Sequence, residues 1–110
     1  MNENRNTSRA PVIWVLLDDR AGNRSQCLGV VEALGYRFHS HELEYVAAAA
    51  LPNFFVGASF GGLTPSSRIN LVPPWPDLVI AAGRRTAPVA RKIKKDSGGA
   101  TKLVQIMYPG

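Results

Sequence analysis

Two short runs of the chain are apolar at every position, which is typical of strands that are buried on both faces of a parallel sheet. The first run extends from Val12 to Leu17 and the second from Leu78 to Ala82. Each run ends at a polar stretch that contains glycine, and apolar residues at helical spacing follow. The sequence therefore predicts two strand–turn–helix units.

The ends of both helices carry recognisable capping signals. We expect the first helix to be capped by Asn23 and to end at Gly35. We expect the second to be capped by Thr86, to hold Pro88 in its first turn and to end at the Gly98-Gly99 pair. The inward stripe of the first helix comprises Cys27, Val30, Val31 and Leu34, and that of the second comprises Val89, Ala90 and Ile93.

Two further strands complete the pattern. Tyr36 to Tyr45 is rich in aromatic and polar residues and predicts a strand exposed on one side, and Lys102 to Met107 predicts a fourth strand. Because strands and helices alternate along the chain, we expect an α/β fold, and the right-handed crossover rule favours a parallel sheet. The domain would be three-layered and similar to half of a Rossmann fold, with four parallel strands in the order 2-1-3-4 between flanking helices. We expect residues 11–110 to form this single domain after a disordered tail at residues 1–10.

The connection between the second and third strands carries no charge from Tyr45 to Ser67. Val46 to Leu51 has alanine helix propensity, and Phe54, Phe55 and Phe60 are interleaved with glycines. The stretch is long enough to span a bilayer, but its prolines and glycines argue against a helix embedded in lipid. We interpret it as a buried helix and loop, with contact to a membrane surface or a protein partner as the alternative.

Composition and charge narrow the classes of protein. With 45% hydrophobic and 19% charged residues among 110, the chain has the mixture of one globular domain. A net charge of +5 would attract anions, but the basic residues are scattered apart from Arg84-Arg85 and the solvated helix face at 91–95. The arrangement of aromatic and basic residues does not suggest a groove for single-stranded nucleic acid, so we do not expect nucleic-acid binding. The lone Cys27 and the polar start of the chain predict a cytoplasmic location, at most peripheral to a membrane.

The predicted strand order places a ligand site between the first and third strands. Open parallel sheets bind ligands at the carboxyl ends of strands where the connections diverge. We expect Asp18 and Arg84 to face each other there across a shared crevice. The residues predicted to contact an anion or a sugar are Asp18, Asp19, Arg20, Gly22, Asn23, Gln26, Gly83, Arg84, Arg85 and Thr86.

The residue types in these two loops suit a phosphate- or sugar-bearing ligand. Arg84 and Arg85 supply forked donors beside a helix N-terminus, and Gly83 allows a ligand to approach the backbone. Asp18 and Asp19 could accept hydrogen bonds from sugar hydroxyls. The competing interpretation is that an aspartate pairs with an arginine only to hold the loops together. Neither loop matches a dinucleotide fingerprint or a Walker loop.

Other chemistry-bearing residues carry weaker predictions. His39 and His41 share one strand face, but no third ligand stands at a familiar spacing, so we predict no metal site and no cofactor. A helix dipole could lower the pKa of Cys27, yet its place on the apolar stripe favours core packing. Trp14 and Trp75 are predicted to anchor the core and a loop.

Three blocks of the sequence run from Trp14 to Gly35, from Pro73 to Arg91 and from Val104 to Met107. Together they resemble the ELM-type family, which is named for mitochondrial fission in plants and is widespread in bacteria. The resemblance implies a GT-B glycosyltransferase-like architecture with two Rossmann-like lobes and a cleft between them. Asn23 stands where the family commonly has histidine, and Lys92 stands where an apolar aromatic residue is common.

The resemblance also implies a function. This chain would be most of the amino-terminal lobe, the one that usually meets the acceptor, and Pro109-Gly110 ends it where relatives continue towards a donor-binding lobe. We therefore expect a ligand- or acceptor-binding lobe that is inactive alone. As an enzyme, the complete protein could use Asp18 or Asp19 to activate an acceptor hydroxyl. The alternative is a non-catalytic interaction protein that uses the uncharged Tyr45 to Ser67 segment.

Overall fold

A computed structural model describes residues 10–46 and 60–106, and within these ranges it shows an α/β fold. The elements in chain order are β1 (Ile13–Leu17), α1 (Ala21–Leu34), β2 (His39–Glu42), α2 (Pro65–Arg68), β3 (Leu78–Ala82), α3 (Ala87–Asp96) and β4 (Lys102–Ile106). Residues 1–9 of the predicted tail lie outside the described residues, as do Phe54, Phe55 and most of the helix predicted from Val46 to Leu51.

The sheet confirms the predicted strand order. Its four strands are all parallel and lie in the order β2-β1-β3-β4. Trp14 of β1 lies opposite His39 of β2 on one side and Val79 of β3 on the other. Because the two right-handed crossovers run in opposite directions from the centre of the sheet, they carry α1 and α3 to opposite faces.

Each face of the sheet has its own apolar core. The core under α1 comprises Ile13, Val15, Leu17, Cys27, Val31, Ile80 and Ala82. The core on the α3 face comprises Trp14, Leu16, Leu43, Leu63, Leu71, Val79, Ala81, Val89, Ala90 and Ile93. Alternate residues of β1 and β3 enter opposite cores, which explains why both strands are apolar at every position.

Backbone contacts join the residues that follow β2 to the residues that precede α2. Tyr45 forms an isolated antiparallel bridge with Leu63, and the amide of Thr64 donates to the carbonyl of Glu44 at 3.0 Å. The Thr64 side chain then caps α2 by accepting from the Ser67 amide. Among residues 10–46 and 60–106, no helix is both long and apolar enough to cross a membrane.

Asp77 joins the starts of three strands at the amino edge of the sheet. Its carboxylate accepts a hydrogen bond from the Val12 amide at 2.7 Å, and its carbonyl accepts one from the Lys102 amide at 2.9 Å. The hydroxyl of Thr101 donates to the carbonyl of Pro76 at 2.7 Å. These contacts set the register of β1, β3 and β4 before the strands reach the opposite edge.

The elements differ from the predicted ones mainly at their ends. β2 is shorter than the predicted strand from Tyr36 to Tyr45, because Tyr36 and Arg37 stay exposed after the left-handed Gly35 and Tyr45 turns into its bridge with Leu63. Gly35 ends α1 as predicted, with φ of 77°. The inward stripe of α3 and the place of Pro88 in its first turn are also confirmed.

Candidate functional site

The carboxyl ends of β1 and β3 are neighbours in the sheet. Leu16 of β1 lies opposite Ala81 of β3 in a parallel pair, so the loops that follow the two strands leave from the same edge. Each loop leads directly into a helix, α1 on one face and α3 on the other. The edge therefore brings together two polar loops and the N-termini of two helices, as the strand order requires.

Asp18 organises the first loop from inside. It is only 2% exposed, and its carboxylate accepts hydrogen bonds from the Arg20 amide at 3.0 Å and from the Asn23 side-chain amide at 2.9 Å. The bond to Arg20 is an Asx turn, which lets α1 begin at Ala21. Both carboxylate oxygens of Asp18 thus have partners within its own loop.

The prediction that Asn23 caps the first helix is wrong. Asn23 is the third residue of α1, and the residue at the N-cap is Arg20, which makes no side-chain capping bond. The helix starts earlier because the Asp18 carboxylate turns the chain and leaves the Asn23 amide to point back at it. Asn23 is buried in this position, where its side chain stabilises the loop through Asp18 and does not cap the helix.

The second loop is held by a hydroxyl and an amide. Thr86 occupies the N-cap of α3, but it makes no side-chain capping bond. Its hydroxyl is instead directed at the carbonyls of Ala82 and Gly83, at 2.9 and 3.1 Å. Gln105 of β4 donates from its amide to the Gly83 carbonyl at 2.8 Å. The predicted capping role of Thr86 is therefore wrong in its chemistry, although its position is right.

The two loops touch at Gly83 and Asn23. Gly83 has φ of 90°, a left-handed conformation that favours glycine, and a Cβ built there would lie 2.4 Å from the Asn23 amide nitrogen. Side chains at this position are thus excluded both by backbone conformation and by the neighbouring loop. The sequence analysis assigned the space beside Gly83 to a ligand, but the Asn23 side chain occupies part of that space.

An ionic contact also spans the loops, between Asp19 and Arg85. The Arg85 guanidinium lies 3.9 Å from the Asp19 carboxylate, and the Asp19 side chain is 81% exposed. We expected Asp18 and Arg84 to face each other. They follow neighbouring strands at one edge, but the Asp18 carboxylate is directed towards Asn23, whereas Arg84 is exposed.

The remaining predicted contact residues lie around this centre. Arg20 is exposed just before α1, and Arg84 is exposed in the turn before α3. Gly22 and Gln26 line the outer face of α1 in a shallow groove of about 560 Å³. The structure therefore joins Asp18, Asn23 and Gly83 directly and leaves Gly22 and Gln26 facing outwards.

Three residues at this edge were not found by sequence reasoning. Arg24 makes a bidentate contact with Glu42 at 2.6 and 3.1 Å and also donates to the Asp18 carbonyl. Hydrogen bonding and charge from Glu42 raise the pKa of Arg24, and the bond from Arg24 lowers the pKa of Glu42. The others are Gln105, described above, and Tyr45, whose hydroxyl donates to the Arg85 carbonyl at 3.0 Å. No local pattern marks these long-range contacts.

Cys27 packs in the core, as its place on the apolar stripe predicted. It is 1% exposed, and burial, assisted by the negative charge of Asp18, raises the pKa of its thiol to about 11. Burial and the raised pKa both disfavour a reactive thiolate at this position.

The two histidines share a face of β2, and His41 packs against Trp14 with tilted rings whose centroids are 4.4 Å apart. Trp14 also meets Trp75 edge-on at 6.0 Å, which confirms both tryptophans as core and loop anchors. Within the described part of the chain, no group of three or more His, Cys, Asp or Glu side chains could hold a metal ion.

Comparison with known proteins gives a family for the chain. Residues 21–110 match the family described as Mitochondrial fission ELM1. An uncharacterized protein of Rickettsia prowazekii (strain Madrid E) is 39% identical over 100 residues, which are 88% of this chain and 27% of that relative's length. No solved structure gives a significant match. The chain belongs to the Mitochondrial fission ELM1 family, which confirms the resemblance drawn from its three sequence blocks.

Proposed function

We propose that this chain is a ligand-binding lobe of a GT-B glycosyltransferase-like protein, and that it binds a phosphate-bearing sugar at the carboxyl edge of β1 and β3. The observation that carries the proposal is the direct contact between the two loops. Gly83 packs against Asn23, and Arg85 approaches Asp19, so a ligand at this edge meets both loops at once. Arg20 and Arg84 stand exposed beside that contact.

Electrostatics at the edge favours the anionic part of such a ligand. The N-termini of α1 and α3 both open here, and neither N-cap residue covers its helix with a side-chain hydrogen bond. Each helix therefore presents the positive end of its dipole towards the edge. The exposed guanidinium of Arg84 adds a forked donor that matches phosphate geometry.

The two aspartates have different roles in the proposed site. Asp18 is buried with both oxygens bonded inside the loop, so we assign it to shaping the site. Asp19 is largely exposed and lies at a long 3.9 Å from Arg85, so its carboxylate can accept hydrogen bonds from a sugar. A negative group beside the arginines also disfavours a bare anion. We therefore favour a sugar phosphate over inorganic phosphate.

Glycosyl transfer itself belongs to the proposal for a complete protein rather than for this chain. The chain spans 27% of the length of its Rickettsia relative. In the GT-B arrangement a sugar donor and its acceptor meet in a cleft between two lobes, and we assign the carboxyl edge of β1 and β3 to one wall of such a cleft. For this chain, we propose binding without catalysis.

Calorimetric titration with glucose 1-phosphate, inorganic phosphate and glucose tests the proposal. We expect glucose 1-phosphate to bind most tightly and Arg84→Ser to weaken its affinity roughly tenfold, because a charge-assisted hydrogen bond to phosphate is lost. Arg37→Ser is the matched control, since Arg37 is exposed and precedes β2 at the opposite edge.

Two results would contradict the proposal. One is the absence of measurable binding of the sugar phosphate to the unsubstituted protein. The other is an equal loss of affinity in Arg37→Ser and Arg84→Ser, which would mean that only the general positive charge attracts the ligand. Salt-sensitive pelleting with anionic vesicles, combined with silence in calorimetry, would instead favour the alternative role at a membrane surface.

A further inference from the structure

Tyr45 stands at the meeting point of the core, the β2–β3 connection and the candidate site. It lies three residues beyond the end of β2, where it bridges to Leu63 and packs against the α3-side core. The N-terminus of α3 opens on the same face of the sheet and at the same edge. The Tyr45 ring is thus fixed by packing against this core, and its hydroxyl reaches the loop that follows β3.

Two contacts join Tyr45 to Arg85. The hydroxyl donates a hydrogen bond to the Arg85 carbonyl at 3.0 Å, and the guanidinium carbon lies 5.8 Å from the centre of the Tyr45 ring. The first contact fixes the backbone of the second loop, and the second is within the range of a cation–π interaction. Burial is the main reason why the pKa of Tyr45 is raised above its ordinary value, so the phenol stays protonated as a donor.

We infer that Tyr45 is a positioning residue for the ligand site, because it holds Arg85 between its own ring and the Asp19 carboxylate. This inference rests on the proposed function of the same edge. Without the hydroxyl, the Arg85 carbonyl loses this hydrogen bond and the loop from Gly83 to Thr86 gains conformational freedom. The arginine side chains of that loop then reach the phosphate of the ligand with a larger entropic cost.

Tyr45→Phe tests the inference because it removes the hydroxyl and keeps the ring. We expect the affinity for glucose 1-phosphate to fall about threefold, the size of a lost neutral hydrogen bond acting indirectly. The spectroscopic signature is the carbonyl carbon resonance of Arg85, which should shift in the unliganded variant. The control is Tyr36→Phe, since Tyr36 is 51% exposed and follows the C-terminal end of α1. This variant should change neither the affinity nor the Arg85 resonance.

The outcomes separate this inference from the function on which it rests. If the unsubstituted protein does not bind glucose 1-phosphate, the proposed function is overturned and the role of Tyr45 in binding falls with it. If the unsubstituted protein binds and Tyr45→Phe binds equally well, the positioning role alone is overturned. An unchanged Arg85 carbonyl resonance in Tyr45→Phe overturns the hydrogen bond from which the inference starts.

Discussion

The two βαβ units reach the same edge of the sheet but stabilise their loops differently. The first unit uses a buried carboxylate, Asp18, whose partners lie within five residues of it. The second unit uses the Thr86 hydroxyl and the Gln105 amide, and Gln105 comes from the strand that ends the unit. One loop is therefore held by a local ionic acceptor, and the other by neutral bonds, of which the one from Gln105 is long-range. Because the two loops have separate supports, a substitution can destabilise one loop of the site without the other.

The largest effect should come from the point where the units touch. Gly83→Ala introduces a Cβ that would lie 2.4 Å from the Asn23 amide nitrogen, at φ of 90°. We expect the free energy of unfolding to fall by roughly 2–4 kcal/mol, since backbone strain and overpacking act together. Chemical denaturation with urea measures it.

Gly35→Ala is the control for that substitution. Gly35 has φ of 77°, but its added Cβ would meet nothing within 4 Å, so only the strain of about 1–2 kcal/mol remains. In the variant that combines Asn23→Ala with Gly83→Ala, the loss of stability should be smaller than the sum of the two single losses, because the clash is removed with the amide. Equal costs at Gly35 and Gly83, with additive losses in the double variant, would contradict a close contact between the loops.

The next effect compares the two loop supports directly. Asp18→Ala leaves the buried Asn23 amide without its charged acceptor, and we expect a loss of about 2–3 kcal/mol in the free energy of unfolding. Thr86→Val removes a neutral hydroxyl of nearly the same shape and should cost about 1 kcal/mol. A larger loss in Thr86→Val than in Asp18→Ala would reverse the assignment of the stronger support to the first loop.

A smaller effect of opposite sign is expected on the outer face of α1. Gly29 lies within this helix, is exposed, and has open space where a Cβ would stand. Gly29→Ala should raise the free energy of unfolding by about 0.5–1 kcal/mol, because alanine has the higher helix propensity. Thermal denaturation provides the measurement. A destabilised variant would mean that the face is covered in the folded protein.

The pH dependence should distinguish the outer strands of the two units, because both histidines of the chain lie in β2. Burial, with a smaller contribution from His39, lowers the pKa of His41 below 6.5. As the pH falls through that ordinary value, the unfolded chain binds a proton before the folded one does. The free energy of unfolding should therefore decrease until the pH lies below the pKa of His41 in the folded protein.

Denaturation of His41→Gln and His39→Gln between about pH 7 and pH 5 checks this dependence. The loss of stability on acidification should be reduced in His41→Gln and retained in His39→Gln. If His41→Gln keeps the full dependence, another group causes it and the buried imidazole does not.

The sequence predicted the framework well because its signals are local. Unbroken apolar runs marked β1 and β3, and Gly35 marked the end of α1 through a conformation that glycine favours. Crossover handedness then allowed the strand order to be inferred. The same reasoning placed two polar loops at one edge of the sheet.

The site could be predicted only as far as the loops themselves. Asn23 was misassigned because an N-cap and a partner for a buried carboxylate favour the same residue type. Tyr45 and Arg85 are 40 residues apart, and Gln105 and Gly83 are 22 apart, so only the folded sheet brings these pairs together. Local periodicity contains no information on such pairs.

The most direct test of the account is whether the two loops respond to one ligand as a single site. In a titration with glucose 1-phosphate followed by amide resonances, we expect Asn23 in the first loop and Thr86 in the second to shift along the same binding curve. Shifts confined to one loop, or two curves with different midpoints, would contradict a shared site at the carboxyl edge of β1 and β3.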